Sequence, residues 1–166
     1  LSCLRDIKAK ELENKKVLVR VDFNVPLDDN LQVRDDTRII AALDTIKYLL
    51  SSNCTIILMS HLGRPKGEIV DKLRLDPVAR YLEKILQIKI TKLNDCVGKK
   101  VEKTVSESNP GEIILLENLR FHEEEENNNI DFAKKLAALA DIYINDAFGA
   151  AHRAHASTAG VTKYLP

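Results

Sequence analysis

Short apolar segments that stop abruptly at polar residues recur along the chain, and they limit its possible folds more than any other feature. The first covers residues 17–21 and reads Val-Leu-Val-Arg-Val. A mostly β-branched, apolar run without alternation is typical of a strand that is buried on both faces. Asp22, Phe23 and Asn24 follow directly. Pro26 has no N–H for the ladder, so the strand is predicted to end before it.

The same arrangement repeats, with amphipathic segments between the apolar ones. Further strands are predicted at 55–59, 88–90, 113–116 and 142–144. Strands that alternate with helical crossovers favour a parallel sheet covered by helices. The sequence therefore predicts the α/β class, as a three-layer Rossmann-like domain with a mostly parallel sheet and helices on both faces. One such domain is expected over residues 1–166, because no linker divides the chain.

Local patterns predict how the connections are built. Asp35 or Asp36 can cap the first long helix, and Ile40 belongs to its apolar stripe. Asp76, followed by a proline, is a second capping carboxylate at a helix start. Residues 123–129 read Glu-Glu-Glu-Glu-Asn-Asn-Asn, a composition that favours a solvated surface loop.

Composition excludes several classes of function. Lys and Arg total 25 and are balanced by 25 Asp and Glu, which argues against a general nucleic-acid or membrane-surface role. No apolar run approaches the ~20 residues that span a bilayer. Cys3, Cys54 and Cys96 are odd in number and far apart, so we interpret them as reduced thiols in a cytoplasmic protein.

Polar side chains follow four of the predicted strands, and arginine is frequent among them. The set comprises Asp22, Asn24, Arg38, His61, Arg64, Arg120, His152 and Arg153. In a parallel sheet these groups gather at one edge, where open α/β sheets bind ligands. Arginines placed together repel one another unless an anion lies between them, and the guanidinium fork matches phosphate oxygens. The pattern predicts a site for a small, multiply anionic, phosphorylated ligand; separate surface charges and turn-forming residues are the alternatives.

Other chemistries find little support in the sequence. The histidines lack the spacing of a metal motif, so no metal site is predicted. There is no nucleophile elbow, Walker loop or dinucleotide fingerprint. The sequence therefore shows no means of holding a nucleotide.

Six motifs, in order, resemble the amino-terminal domain of phosphoglycerate kinase. They are Val-Asp-Phe-Asn-Val-Pro (21–26), Asp-Thr-Arg-Ile (36–39), Ser-His-Leu-Gly-Arg-Pro (60–65), Glu-Asn-Leu-Arg-Phe (117–121), Asn-Asp-Ala-Phe-Gly (145–149) and Ala-His-Arg-Ala-His-Ala-Ser (151–157). The resemblance implies a glycolytic transferase that moves a phosphoryl group between 1,3-bisphosphoglycerate and ADP, giving 3-phosphoglycerate and ATP. It also implies two lobes, with Mg-ATP or Mg-ADP bound by a carboxyl-terminal lobe that this chain lacks.

The resemblance also implies roles for individual residues. Arg64, Arg120, Arg153 and His61 would hold the non-transferred phosphate of the substrate. Asp22 and Asn24 would bind near its hydroxyl and carboxyl end, and Arg38 would be the catalytic residue that faces the transferred group. Neighbouring substrate contacts are expected from Val21, Phe23, Thr37, Ser60, Gly63, Leu119 and His152. We expect a monomer that binds 3-phosphoglycerate without turnover; a non-catalytic anion-binding or interaction module is the alternative.

Overall fold

A five-stranded sheet forms the centre of the computed structural model, which describes residues 9–146 and 155–166. The strands are β1 (Lys16–Arg20), β2 (Thr55–Met59), β3 (Ile90–Lys92), β4 (Ile113–Leu115) and β5 (Ile142–Asn145). Their order across the sheet is β3-β4-β2-β1-β5, and every neighbouring pair is parallel. The predicted α/β class and parallel sheet are thus confirmed.

Helices cover both faces of this sheet. They are α1 (Ala9–Leu12), α2 (Thr37–Ser51), α3 (Asp76–Leu86), α4 (Lys99–Ser106), α5 (Glu123–Glu126) and α6 (Ile130–Ala137). Single turns of 3₁₀ helix cover Asp71–Leu73, Leu119–Phe121 and Val161–Lys163, and a π-helical turn covers Ala156–Gly160. None of the described helices has the length and apolar character needed to cross a membrane.

Alternate residues of each strand supply two separate cores. Val17 and Val19 of β1 pack with α2 and α3 on one face. Leu18, between them, packs with α4 and α6 on the other face. Side chains of a strand point alternately to the two faces, so a strand that is apolar throughout satisfies both layers. This confirms the predicted three-layer arrangement.

The helix starts were predicted in part. The Asp35 carboxylate accepts a hydrogen bond from the N–H of Thr37, 2.9 Å away, and so serves the first turn of α2. Asp76 begins α3, but its side chain makes no capping hydrogen bond. Its carboxylate instead lies 3.0 Å from Nζ of Lys92. The predicted capping role of Asp76 is therefore wrong, because α3 begins at Asp76 itself and Leu75 occupies the N-cap position.

Two apolar positions differ from expectation. Ile40, predicted on the apolar stripe of α2, is 47% exposed because it lies at the margin of that stripe. The strand predicted at 88–90 begins only at Ile90. Gln87 adopts a left-handed conformation (φ 54°) at the end of α3, so the chain completes its turn before it can join the sheet.

The acidic segment 123–129 is largely solvated, as its composition indicates, but it is not a loop throughout and one of its carboxylates is buried. Residues 123–126 form α5, and Glu125 has no exposed surface. Its carboxylate accepts hydrogen bonds from the backbone N–H and the hydroxyl of Ser157. The predicted loop is wrong for residues 123–126, and the predicted exposure is wrong for Glu125, because a partner distant in the sequence satisfies its carboxylate.

The strand order creates a crevice at the carboxyl edge of the sheet. The connection after β2 leads to β3 at one side of the sheet, and the connection after β4 leads to β5 at the other. Helix α3, which follows β2, packs on one face of the sheet, whereas α6, which follows β4, packs on the other face. Neighbouring strands whose connections leave for opposite faces form a crevice at their carboxyl ends, where α/β proteins bind ligands. The loops 60–64 and 116–120 flank this opening.

Candidate anion-binding site

The loop after β1 holds Arg38 near the crevice. Arg38 Nη1 donates a hydrogen bond to the carbonyl oxygen of Asn24 at 2.7 Å and lies 3.4 Å from Oδ1 of Asp22. The same carboxylate oxygen accepts from the N–H of Asn24 at 3.1 Å. The Arg38 side chain is 52% exposed, so it can also reach a ligand. Thr37 is exposed and its hydroxyl donates to Asp35 at 2.6 Å.

The loop after β2 is joined to the loop after β1 through Gly63. The N–H of Gly63 donates to Oδ1 of Asn24 at 2.9 Å. Gly63 has a φ of +62°, in the left-handed region that favours glycine, and a Cβ atom there would lie 2.8 Å from the end of the Leu73 side chain, which would have to shift. Arg64 follows it and is exposed; within the described part of the chain it forms no hydrogen bond or ion pair.

The loop after β4 places Arg120 on the other side of the crevice. The side chain of Arg120 is 7% exposed, and its Nε lies 3.6 Å from a carboxylate oxygen of Glu126. Its Nη1 lies 3.5 Å from the carbonyl oxygen of Gly63. The N–H of Leu119 donates to the carbonyl oxygen of Ser60 at 3.0 Å. These contacts fix the β2 and β4 loops relative to each other.

Asn118 is the main link between these two loops, and the sequence did not single it out. Its side-chain NH₂ donates to the carbonyl oxygens of Leu62 (2.7 Å) and Leu73 (2.9 Å). Its Oδ1 accepts from the N–H groups of Leu62 (3.2 Å) and Arg120 (3.1 Å). An amide has two donor and two acceptor positions, and here all four are used.

Glu117, which is buried next to Asn118, forms ion pairs with two cations. Its Oε1 accepts from the N–H groups of Leu75 (2.9 Å) and Asn118 (3.0 Å). Its Oε2 accepts from Arg74 at 3.1 Å and from Lys92 at 2.8 Å. With 1% of its side chain exposed, Glu117 depends on these partners, since a buried carboxylate is costly without them.

Arg20 is a buried cation behind His61. It is the last residue of β1 and has no exposed surface. Its Nη2 lies 2.7 Å from Nδ1 of His61, and its Nε donates to the hydroxyl of Ser157 at 3.1 Å. Burial lowers the pKa of Arg20, and the negative charge of Glu125 opposes this shift. The apolar run around Arg20 hid it from sequence reasoning.

Comparison with known proteins identifies the family. The family model of phosphoglycerate kinase matches residues 5–166. The chain belongs to the phosphoglycerate kinase family. It is 63% identical over 160 residues to phosphoglycerate kinase of Moorella thermoacetica, and the match covers 96% of this chain and 40% of that protein. It is 56% identical over 160 residues to a chloroplastic phosphoglycerate kinase of Arabidopsis thaliana, covering 96% of this chain and 33% of that protein.

Solved structures of phosphoglycerate kinases share the fold. The enzyme of Pyrococcus horikoshii superposes with a TM-score of 0.87 at 33% identity, covering 98% of this chain and 40% of the other. That of Coxiella burnetii gives 0.82 at 41% identity, covering 93% and 38%. The chain thus spans about 40% of the length of the bacterial relatives it matches.

The remaining residues that the phosphoglycerate kinase resemblance adds are mostly buried. The side chains of Val21, Phe23, Ser60 and Leu119 lie in the interior. The Ser60 hydroxyl accepts from the N–H of Phe23 at 2.9 Å. In the structure these buried side chains support the strand ends. Their contact with substrate stays a prediction. His152 and Arg153 lie outside the described residues.

Asp95, Cys96 and His122 are a cluster in the described chain whose potential metal-ligand atoms lie within 4.8 Å of one another. Hydrogen bonds account for this closeness. His122 Nε2 lies 2.6 Å from Oδ1 of Asp95, and the Cys96 thiol donates to the carbonyl oxygen of Glu117 at 2.8 Å. Burial raises the pKa of Cys96 well above its usual value, which favours the thiol over the metal-binding thiolate.

Proposed function

We propose that the chain is the phosphoglycerate-binding lobe of a phosphoglycerate kinase. In this proposal the whole enzyme transfers a phosphoryl group between 1,3-bisphosphoglycerate and ADP, and the lobe binds the phosphoglycerate. The observation that carries the proposal is the convergence of Arg38, Arg64 and Arg120 on one crevice from three different connections. Family membership supports it, since this crevice belongs to the part of the family's proteins that the chain matches.

The arginines divide into two groups by their surroundings. Arg64 and Arg120 follow the neighbouring strands β2 and β4, and with His61 they suit the phosphate that stays on the substrate. A guanidinium can pair with two phosphate oxygens at once. The predicted contribution of Arg153 completes this group. Asp22 lies at the neighbouring strand end, where a carboxylate suits the substrate hydroxyl, because it can only accept a hydrogen bond.

Arg38 is the proposed catalytic residue. Its present partners are one carbonyl oxygen and a carboxylate at 3.4 Å, and half of its side chain faces solvent. Phosphoryl transfer depends on alignment and on positive charge near the moving group, with little need for a protein base. A solvent-facing guanidinium at the edge of the crevice fits that requirement. Closure of a second lobe over it would exclude water.

Mg-nucleotide does not fit the described crevice. Magnesium takes carboxylate and phosphate oxygens in an octahedral shell. The carboxylate of Asp22 is engaged by Arg38 and by the N–H of Asn24. The carboxylates of Glu117 and Glu126 are likewise paired, with Arg74 and Lys92 and with Arg120. We assign nucleotide binding to the part of the family's proteins that this chain does not match. Monomeric state and cytoplasmic location stay predictions.

Isothermal titration calorimetry with 3-phosphoglycerate tests the proposal. We expect weak, saturable binding that falls about 10- to 100-fold in Arg64→Ala, the range for losing hydrogen bonds to a charged group. Arg80→Ala is the matched control, because Arg80 is an exposed arginine on α3. Absence of saturable heat, or equal binding by the Arg64 and Arg80 variants, would refute the site. The chain alone should make no ATP from 1,3-bisphosphoglycerate and ADP, and measurable ATP would refute the single-lobe proposal.

A further inference from the structure

We propose that Arg20, held in place by Ser157 and Glu125, sets the tautomer of His61. In that tautomer Nε2 carries the ring proton and donates a hydrogen bond to the ligand. Arg20 is then a positioning residue for a ligand contact that it does not itself make. The ligand half of this inference rests on the proposed function. The tautomer half rests on contacts of the described chain.

The tautomer follows from the chemistry of the two side chains. Nη2 of Arg20 lies 2.7 Å from Nδ1 of His61, a hydrogen-bond distance. A guanidinium has five N–H donors and no acceptor. Nδ1 must therefore be the acceptor, and a neutral imidazole that accepts at Nδ1 carries its proton on Nε2. A doubly protonated ring could not keep the contact, because two N–H groups would face each other.

The guanidinium of Arg20 has little freedom to turn away. Its Nη1 donates to the carbonyl oxygen of Val21, its Nη2 to His61, and its Nε to the Ser157 hydroxyl at 3.1 Å. Each of its three nitrogens thus has a partner in a different direction. Since Arg20 and Ser157 are both fully buried, water cannot easily replace any of these partners.

Glu125 supplies the opposite charge through Ser157. The Ser157 hydroxyl accepts from Arg20 and donates to one carboxylate oxygen of Glu125, while its backbone N–H donates to the other at 2.7 Å. The hydroxyl of Tyr143 donates to the carbonyl oxygen of Ser157 at 2.7 Å. A buried guanidinium without a nearby counter-charge is strongly disfavoured. Glu125 therefore keeps Arg20 charged and in place.

A neutral donor has a specific advantage at this crevice. Arg38, Arg64 and Arg120 already concentrate positive charge there, and a further cation would raise their mutual repulsion before the ligand arrives. A His61 ring locked as the Nε2–H form adds a directed hydrogen bond for a phosphate oxygen without adding charge. It also cannot present a lone pair to the anion, which the other tautomer would do.

Long-range ¹H–¹⁵N correlation spectra of the histidine rings test the tautomer directly, since they distinguish protonated from unprotonated ring nitrogens. At neutral pH we expect His61 to show an unprotonated Nδ1 and a protonated Nε2. His122 provides an internal reference, because its Nε2 faces Asp95 rather than an arginine. A His61 ring protonated at Nδ1, alone or together with Nε2, would overturn the proposal.

The informative variant is the double substitution Arg20→Met and Glu125→Gln. Arg20→Met alone would leave a buried carboxylate without its counter-charge, whereas the pair removes both charges with little change in volume. We expect His61 to become a mixture of tautomers in the double variant. Arg74→Met, which removes an arginine that bonds Glu117 instead of His61, should leave the spectrum unchanged. An unaltered His61 tautomer in the double variant would contradict the proposal.

Calorimetry with 3-phosphoglycerate separates this inference from the proposed function. We expect the double variant to bind about three- to tenfold more weakly than the unmodified chain, the effect of losing one hydrogen bond. A changed tautomer with unchanged affinity would overturn the role of His61 as a ligand donor. If the unmodified chain bound no 3-phosphoglycerate, the proposed function would fail, while the spectra would still decide the tautomer without any ligand.

Discussion

The substitution Glu117→Gln tests how the crevice is held together. Glutamine has the shape of glutamate but replaces one oxygen with an NH₂ group. If its oxygen keeps the two backbone donors at Oε1, its NH₂ faces Arg74 and Lys92, which are donors themselves. If the amide turns round, its NH₂ meets the N–H groups of Leu75 and Asn118. Neither orientation satisfies all four contacts.

The expected loss can be derived from these contacts. Removing one partner of a buried ion pair costs about 3–5 kcal/mol. Arg74 is 30% exposed and can turn to water, and Lys92 keeps Asp76 at 3.0 Å, so the lower end applies. We expect the free energy of unfolding to fall by about 3 kcal/mol. For a chain of this size that corresponds to about 6–12 °C in Tm.

Asp71→Asn is the matched control. Asp71 pairs with the same arginine, at 2.9 Å from its Nε, but its side chain is 88% exposed. Exposed pairs contribute at most about 1 kcal/mol. Urea unfolding followed by circular dichroism should give a lower midpoint for Glu117→Gln, with the slope unchanged. If the two variants lost the same stability, our reasoning about burial at Glu117 would be wrong.

Two further predictions concern buried titratable groups. Burial raises the pKa of Cys54 to about 11 and raises that of Cys96 well above its usual value, so at pH 8 iodoacetamide should alkylate both only after unfolding, as read by mass spectrometry. Labelling of Cys54 or Cys96 in the folded chain would contradict this. Burial also lowers the pKa of His155. Below about pH 6.5 the unfolded chain therefore binds a proton that the native chain does not. As the pH falls through this range, the free energy of unfolding decreases by at most about 1.4 kcal/mol per pH unit. Between pH 7 and pH 5, the His155→Asn variant should lose less stability than the unmodified chain in urea unfolding. An equal loss in the two proteins would exclude His155 as the source of this pH dependence.

The sheet and the strand ends were predictable because each depends on neighbouring residues. Four apolar runs fall on β1, β2, β4 and β5, since burial of both faces demands apolar side chains at every position. The loops that follow them carry the polar residues that the sequence assigned to a site. Strand β3 was displaced because its start depends on where α3 unwinds, at Gln87, and a three-residue strand has little pattern of its own.

The buried charges could not be predicted, because their partners are distant in the sequence. Glu125 and Glu124 are adjacent in a run of four glutamates, and nothing local separates them. Only Glu125 meets Ser157, which lies 32 residues further along the chain. Arg20 likewise sits in an apolar strand and finds His61, 41 residues away. Composition describes the average environment of such a segment and cannot reveal a single long-range contact.

The position of the buried ionisable groups points to their purpose. Within residues 9–146 and 155–166, the buried members of the Asp, Glu, Lys, Arg and His side chains are Arg20, His61, Glu117, Arg120, Glu125 and His155. The first four lie at or just after the carboxyl ends of β1, β2 and β4, and Glu125 is linked to Arg20 through Ser157. At the opposite edge, the buried polar side chains before β2 are the hydroxyls of Ser52 and Thr55.

Stability alone does not explain this asymmetry. Buried ion pairs are often no more stabilising than well-packed apolar residues of similar volume, because both ions must be desolvated. A domain selected only for stability would have no reason to place them at one edge. At these strand ends, however, two of the buried charges hold a neighbouring group in place: Glu117 accepts from the N–H of Asn118, and Arg20 contacts the ring of His61. We therefore interpret these charges as a rigid support that holds the proposed anion-binding groups in position before a ligand arrives.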